Sequence, residues 1–325
     1  MSVLGIVARR LAQAVGLLAA VAVLNFSLIH LAPGDVVQTI VGEMGGASEE
    51  TIAKLRQAYG LDRSFLEQLW IYVSRVVTGD LGLSTYYNRP VITLIADRIP
   101  ATALLVLSAL AIALVVGTML GVLAARYPRG WLAAFVNLVS LLGFSAPVFW
   151  SGLMLLLLFA SMIPILPTGG YYNVVHGAQG IALALDIAHH LVLPATTLAL
   201  VFLALYSRIA RASMLEVLGS DYVRTARAKG LPERTVVFKH ALRNALLPVV
   251  TIAGLQFSAM LAGAVLVETV FSWPGLGQLA FESILRRDNQ LMLGILLLSA
   301  VLVTFGNLLT DLLYRLVDPR IKTDA

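Results

Sequence analysis

Six long apolar stretches decide what this sequence can fold into: Leu11–Leu31, Ala101–Ala125, Trp131–Met162, His190–Ala210, Leu246–Leu266 and Gln290–Tyr314. An α-helix needs about 20 apolar residues to cross the hydrocarbon core of a bilayer. Only 13% of the 325 residues are charged and the mean hydropathy is +0.87, against roughly 25% charged residues in ordinary soluble domains. The excess apolar surface has to face lipid. The fold class predicted is an all-α integral membrane protein with six transmembrane helices.

The third stretch is overlong for one crossing. Pro147 lies inside it, and a mid-helix proline removes a hydrogen bond and clashes with the preceding turn. A kink, a local break or two shorter segments are all consistent with that, and an extra crossing would invert everything after it. The distribution of cations decides. With six spans and an inside N-terminus, residues 1–10, 126–130, 211–245 and 315–325, with Arg208, hold fifteen of the 23 Lys and Arg. The outside pieces hold the other eight, six of them in the long loop 33–100, and long loops translocate with little regard to charge. Both termini are therefore expected on the cytoplasmic side. Arg9 and Arg10 before an apolar run also fit a signal peptide. That run is long and ends in His30-Leu-Ala-Pro-Gly-Asp35 without a small-x-small cleavage site, so it is read as a retained first span. The net charge of +5 belongs to these inner loops, and no nucleic-acid partner is inferred from it.

In the outside loop, Ser48 is placed to cap a helix over Glu49–Tyr59 that ends at Gly60. Ser64 with Glu67 reads as a capping box for a second helix. Leu66, Leu69, Trp70, Val73, Val76 and Val77 form one apolar stripe on it. Such a helix suits a cap on the membrane surface and equally a surface that receives an external partner. Further outside pieces are Ile163–His189 and Phe271–Asn289, the latter with Trp273 and Pro274 in a turn expected at the membrane interface.

The chemistry that is missing narrows the function. There is no cysteine, which excludes disulfides, thiolate zinc sites and cysteine nucleophiles. No Gly-Lys pair occurs, so there is no phosphate-binding P-loop, and any ATP must be bound by another chain. No H-E-x-x-H, G-x-S-x-G or other metal or nucleophile constellation occurs, and neighbouring His189 and His190 point apart on a helix. No enzyme activity is expected. Polar groups within spans are functional candidates. Glu268 near the outer end of the fifth span is assigned a salt link or a helix-end role. Asn307 and Asp311, four apart, are expected to satisfy each other or a neighbouring helix. Asn25, His30, Ser145 and Gln256 suit either a polar path or interhelical hydrogen bonds.

The basic insert Ser220–Pro248 stands out between two apolar stretches. Ser220 or Asp221 caps a first helix that runs to about Lys229 and stops at Gly230. Asp221 at its start and Lys229 at its end agree with the helix dipole. Ala226 and Gly230 fall on one side, where a partner surface would approach the backbone, flanked by Arg224 and Arg227. Pro232 opens a second helix through Val236, Val237, His240, Ala241 and Leu242 toward Pro248. Anionic lipid headgroups would also hold such a basic loop, but a capped helix with a small-residue face favours protein docking.

Asp221-Tyr-Val-Arg-Thr-Ala-Arg-Ala-Lys-Gly230 followed by His240-Ala-Leu-Arg-Asn-Ala-Leu-Leu-Pro248 resembles the cytoplasmic loop of permease subunits of bacterial ABC importers. The likeness is to the first permease of the dipeptide/oligopeptide/nickel group. Leu31-Ala-Pro-Gly-Asp35, Gly79-Asp-Leu-Gly-Leu-Ser84, Arg98-Ile-Pro-Ala-Thr102, Val267-Glu-Thr-Val-Phe-Ser-Trp-Pro-Gly-Leu-Gly277 and Asp318-Pro-Arg320 carry it along nearly the whole chain. The broad importer motif is Glu-Ala-Ala-x-x-x-Gly followed by Ile-x-Leu-Pro. Here Arg224-Thr225-Ala226 stand at Glu-Ala-Ala, and the path from Gly230 to Pro248 is longer, so only Ala226, Gly230, Leu247 and Pro248 carry over directly. The basic form is that of the peptide group.

The resemblance implies a type I ABC importer permease fold over residues 1–325, with a periplasmic helical loop at 33–100 and a cytoplasmic coupling loop at 211–248, in the bacterial inner membrane. The coupling residues it implies are Asp221, Tyr222, Arg224, Thr225, Ala226, Arg227, Ala228, Lys229, Gly230 and Leu231. It implies a second homologous permease, two ABC ATPase subunits that bind ATP and Mg2+, and a periplasmic or lipid-anchored substrate-binding protein. This chain itself would hold no cofactor. The solute would be a peptide or a similar small molecule. A stand-alone proton-coupled transporter, using Asp311 or Glu268, is the alternative.

Overall fold

The computed structural model describes residues 3–31, 37, 41, 46–58 and 61–317. In a bilayer every backbone N–H and C=O must be satisfied within the protein, which restricts lipid-exposed segments to helices or closed barrels. The regular structure among the described residues is helical, with one isolated bridge between Leu83 and Pro90. In order, the helices are α1 (Val3–Leu31), α2 (Glu49–Ala58), α3 (Phe65–Val77), α4 (Val91–Arg126), α5 (Trp131–Ser145), α6 (Val148–Leu156), α7 (Gly180–Leu218), α8 (Asp221–Ala228), α9 (Leu242–Val270), α10 (Leu276–Leu285) and α11 (Asn289–Val317). Wide π turns extend α6 over Leu157–Met162 and lead into α9 over Val236–Ala241. Tyr59 and Gly60, Ala32–Asp35 of the first motif, and Asp318–Arg320 lie outside the described residues, as does the side chain of Asp311.

Four described helical stretches are long and apolar enough to cross a membrane: α4, α7, Glu233–Gly254 and Asn289–Leu308. Shorter apolar stretches include Ala12–Leu28 and Val148–Met162. The overlong third stretch is two helices. Ala146 bends, and Pro147 takes φ −59 and ψ 139 at the head of α6, so the chain breaks where proline forbids a continuous helix. Residues 180–189, assigned to the second outside piece, and 211–218, assigned to the cytoplasmic loop, are continuous with the span inside α7.

The chain forms two compact units, one comprising Met1–Asp97 with Glu282–Thr304 and the other Arg98–Phe281 with Phe305–Ala325. In the first, Phe26 of α1 stacks with Phe65 and Tyr72 of α3 at ring separations of 5.3 and 5.5 Å, and His30 meets Phe65 edge-on. The expected capping box is formed. Ser64 Oγ accepts from Glu67 N, and the Glu67 carboxylate accepts from Ser64 N at 3.0 Å. Buried Asp288 caps α11 by accepting from Leu291 N, and it also accepts from Ser84 Oγ and Tyr86 N. Tyr87 donates to Glu282, and Arg286 lies over the Tyr86 ring at 3.9 Å.

The second unit is built around α7, whose residues Leu193, Leu198, Phe202, Tyr206, Ala210 and Met214 are buried. Gly117 and Gly121, one helical turn apart in α4, lie against α7. A Cβ on Gly117 would sit 2.9 Å from Leu203 O, and one on Gly121 would collide with Ser207 O and Ala210. Gly143 of α5 meets Leu200 O in the same way. Small residues at these crossings let backbones approach, the means by which helices associate where lipid tails remove any hydrophobic drive between them. Buried Ser140 and Ser207 share a hydrogen bond of 2.9 Å across α5 and α7.

Two measurements check this account. Gly121→Leu is expected to destabilise the second unit by at least about 1–3 kcal/mol, the usual scale for overpacking, read as a lower thermal midpoint of the detergent-solubilised protein. For α3, the Ser64 backbone N–H, assisted by its hydroxyl, holds the Glu67 carboxyl below its ordinary 4.5. A depressed carboxylate stabilises the helix above the unfolded pKa, and that contribution is lost as pH falls through the folded value. Amide exchange in the first turn of α3 should accelerate over that acid window in the native protein and show no such step in Glu67→Gln.

Candidate coupling surface

The insert is a short helix on a stiff mount. Helix α8 begins after Ser220, whose backbone is extended at φ −73 and ψ 153. The Ser220 hydroxyl donates to Val217 O instead of capping, leaving Asp221 in the first turn to complement the dipole. At the other end Gly230 adopts φ +75. Its N–H bonds Arg227 O at 2.9 Å, and Leu231 N bonds Ala226 O. This is a Schellman closure, in which the left-handed position favours glycine. Pro232 then precedes the single turn Glu233–Thr235.

The apolar side of α8 faces this chain. Val223 and Ala226 are buried with Met214 of α7, Val122 and Ala125 of α4, and Val236, Val237, Ala241 and Ala245. This corrects the expectation that Ala226 presents a small-residue face to a partner: its methyl fills an intrachain contact, and the helix approaches α7 and the π turn there. Gly230 is exposed, but it serves the turn. Polar ties complete the mount. Arg227 forms a two-pronged bond with Glu233, at 2.8 and 3.2 Å, and reaches Leu218 O. Asn244 of α9 donates to Tyr222 Oη at 2.8 Å. The Arg224–Asp221 pair is more than two-thirds exposed on both sides and adds little.

Of the ten residues expected to couple, Ala226 is buried, and Tyr222 and Arg227 are exposed but engaged within the insert. Asp221, Arg224, Thr225, Ala228, Lys229, Gly230 and Leu231 present the outward surface. Val223, which sequence reasoning passed over, is the deepest side chain of the helix. Its signal was the three-residue spacing to Ala226 on a helix that is otherwise polar.

Two of the intramembrane polar candidates, Glu268 and Asn307, resolve into structural bonds, whereas buried Asn25 Nδ2 has no hydrogen-bond partner among the described residues. Glu268 is completely buried. Its carboxylate accepts from Thr102 Oγ1 at 2.7 Å, Gly277 N at 2.6 Å and Gln278 N at 3.2 Å. It thus occupies the N-terminus of α10, where free N–H groups and the dipole favour an anion. This is a helix-end role reached through the next helix; no salt link to Glu268 occurs among the described residues. Gly275 and Gly277 lack side chains where a Cβ would strike the Glu268 carboxylate. Trp273, in the turn expected at the membrane interface, is buried within the protein; its indole N–H donates to Ala101 O at 2.8 Å and its ring meets Tyr171 edge-on. Asn307 accepts from Ser258 of α9 at 2.9 Å. Among the described residues no group of three or more His, Asp or Glu is arranged to hold a metal.

Glu268→Ala removes the acceptor for the buried Gly277 N–H, the part-buried Gln278 N–H and the Thr102 hydroxyl, and a buried group left unsatisfied costs about 1–3 kcal/mol. Limited proteolysis between α9 and α11 should accelerate markedly in that variant. Glu268→Gln, which keeps one acceptor oxygen, should lie between it and the parent.

Comparison with known proteins places this arrangement. Residues 117–323 match the family described as "Binding-protein-dependent transport system inner membrane component", and residues 3–106 match the family of its N-terminal region. The dipeptide transport system permease protein DppB of Escherichia coli strain K12 is 41% identical over 332 residues, covering 97% of each chain. The protein of the same name from Alkalihalophilus pseudofirmus is 38% identical, covering 97% of this chain and 98% of the relative. A solved structure of the MetNI methionine ABC transporter in inward facing conformations superposes with a TM-score of 0.54 at 18% identity. It covers 70% of this chain and 97% of that one, a likeness of fold alone. With two family matches that together span almost the entire sequence, this chain belongs to the inner membrane components of binding-protein-dependent transport systems.

Proposed function

We propose that this chain is one of two homologous permease subunits that line the pathway of an ATP-driven importer, carrying a peptide or similar small solute into the cytoplasm of a bacterium. The observation that carries the mechanism is the exposed face of α8 on a mount welded to α7 and α9. Six crossings with cytoplasmic termini, the third interrupted at Pro147, put residues 33–100 outside and 211–248 inside. Two ABC ATPase subunits, which bind ATP and Mg2+, would engage α8 and its copy in the second permease. A periplasmic or lipid-anchored binding protein would deliver the solute from the other side. The names of the dipeptide permeases support the substrate class.

Transport needs two states and a ligand that distinguishes them. Nucleotide-driven closure of the ATPases would pull on Arg224, Thr225, Lys229 and Leu231. Because Val223 and Ala226 are packed on Met214 and Val237, the displacement passes into α7 and α9 without being lost in a loose loop. The stand-alone proton-coupled alternative gains nothing from the structure, since Glu268 is engaged by three donors.

The test is uptake and binding-protein-stimulated ATP hydrolysis in the reconstituted transporter. Arg224→Glu with Lys229→Glu reverses charge on the exposed face and leaves the buried face intact. Transport is expected to fall about 5- to 150-fold, the usual span of coupling energies, with membrane insertion unchanged. Undiminished uptake would refute the docking role. Ala226→Leu should instead destabilise the insert itself, visible as proteolysis within 219–241 before any partner is added. Uptake that persists without ATP and collapses with the proton gradient would favour the alternative.

A further inference from the structure

We infer that α3 lies in the outer headgroup region of the bilayer, with Leu66, Trp70, Val73 and Val77 turned into the lipid beside the outer end of α1. This rests on the reading that α1 crosses the membrane.

The argument starts from how the helix divides its surface. At about 100° per residue, its side chains fall into three sectors roughly 120° apart. Phe65 and Tyr72 form the first, and their rings meet Phe26 of α1. Glu67, Ser74 and Arg75 mark the second and are exposed, with half-buried Ile71 among them. Leu66, Trp70, Val73 and Val77 form the third. The apolar stripe seen in the sequence is therefore split: Leu69, Val73 and Val76 are half-buried, whereas Leu66, Trp70 and Val77 are 73%, 74% and 80% exposed. No side chain of α3 is fully buried, and of the third sector Leu66, Trp70 and Val77 are left largely uncovered by the described residues while Val73 is half-covered.

The neighbours of that sector identify its occupant. A helix lying flat against the end of a membrane-crossing helix meets protein on one side, lipid beneath and water above, the three-way order found here. Leu24 and Leu28, each more than half exposed, lie on the face of α1 opposite the Phe26 anchor, so α1 presents an uncovered apolar face at the level where α3 packs on it. Trp70 supplies an amphipathic ring of the type enriched at membrane interfaces. A soluble partner arriving from outside would meet the polar sector first. Interfacial helices bury their apolar face about 5–10 Å into the headgroup and acyl boundary. The capping box secures the first turn, so the short helix is formed before lipid meets it.

The absence of cysteine in this chain permits single nitroxide labels in the assembled transporter in nanodiscs, with the unsubstituted chain as the background. Labels at Leu66→Cys and Val77→Cys should be relaxed by oxygen in preference to a water-soluble nickel chelate, at a depth of about 5–10 Å. A label at Ser74→Cys should show the reverse preference. Leu24→Cys reports on α1 and should lie deeper in lipid than either. Nickel-accessible labels at 66 and 77 with a lipid-exposed Leu24 label would overturn the inference while leaving the span intact. Labels at 66 and 77 shielded from both reagents would overturn it in favour of a protein partner. A water-exposed label at 24 would overturn the span and the inference together.

Discussion

Backbone contact along α7 is the constraint on which this architecture rests. Helices in lipid gain no hydrophobic advantage from meeting each other, so their association depends on close packing. Gly117 and Gly121 bring α4 onto Leu203, Ser207 and Ala210, and Gly143 brings α5 onto Leu200. The consequence reaches beyond the membrane. Helix α7 continues without interruption to Leu218 and places Met214 beneath α8. The surface that would meet an ATPase is thus seated on the same helix whose middle organises the unit. A mechanical input at α8 and a packing change around α7 are parts of one body.

The same low-dielectric surroundings govern the polar groups. A buried polar atom without a partner is costly, and in the second unit Glu268, Thr102, Ser140 and Ser207 are placed where their bonds serve a turn or a crossing. Glu268 shows the principle most fully. Three donors converge on its carboxylate, two of them the first amides of α10. The Ser-Trp-Pro-Gly-Leu-Gly turn folds over it because Gly275 and Gly277 leave room and because Trp273 has a carbonyl, Ala101 O, for its indole. The family motif across these residues is therefore a description of one folded corner.

Local chemistry was legible in the sequence, and long-range partnership was not. Pro147, the Ser64–Glu67 box and the stop at Gly230 depend on residues within one or two turns, and each stands where the sequence placed it. Hydropathy located the long helices but not their ends, since α4 and α7 run for 36 and 39 residues, further than a bilayer requires. The burial of Trp273 was not legible because the acceptor of its indole N–H lies 172 residues away. Ala226 was misread for a related reason. A small residue on a polar helix marks close approach, but the spacing does not say whose backbone approaches.

That correction changes how coupling is to be understood. Were the small face of α8 turned outward, the ATPase would grip the helix backbone, and the helix would be free to rock on its own chain. With Val223 and Ala226 turned inward and Tyr222 and Arg227 tied to Asn244 and Glu233, the gripping surface consists of side chains on a helix that cannot rock alone. On the proposed docking, the exposed residues, the basic Arg224 among them, would supply recognition of the partner. The buried residues would carry the force. Recognition and transmission are then separable by substitution on opposite faces of a helix only eight residues long.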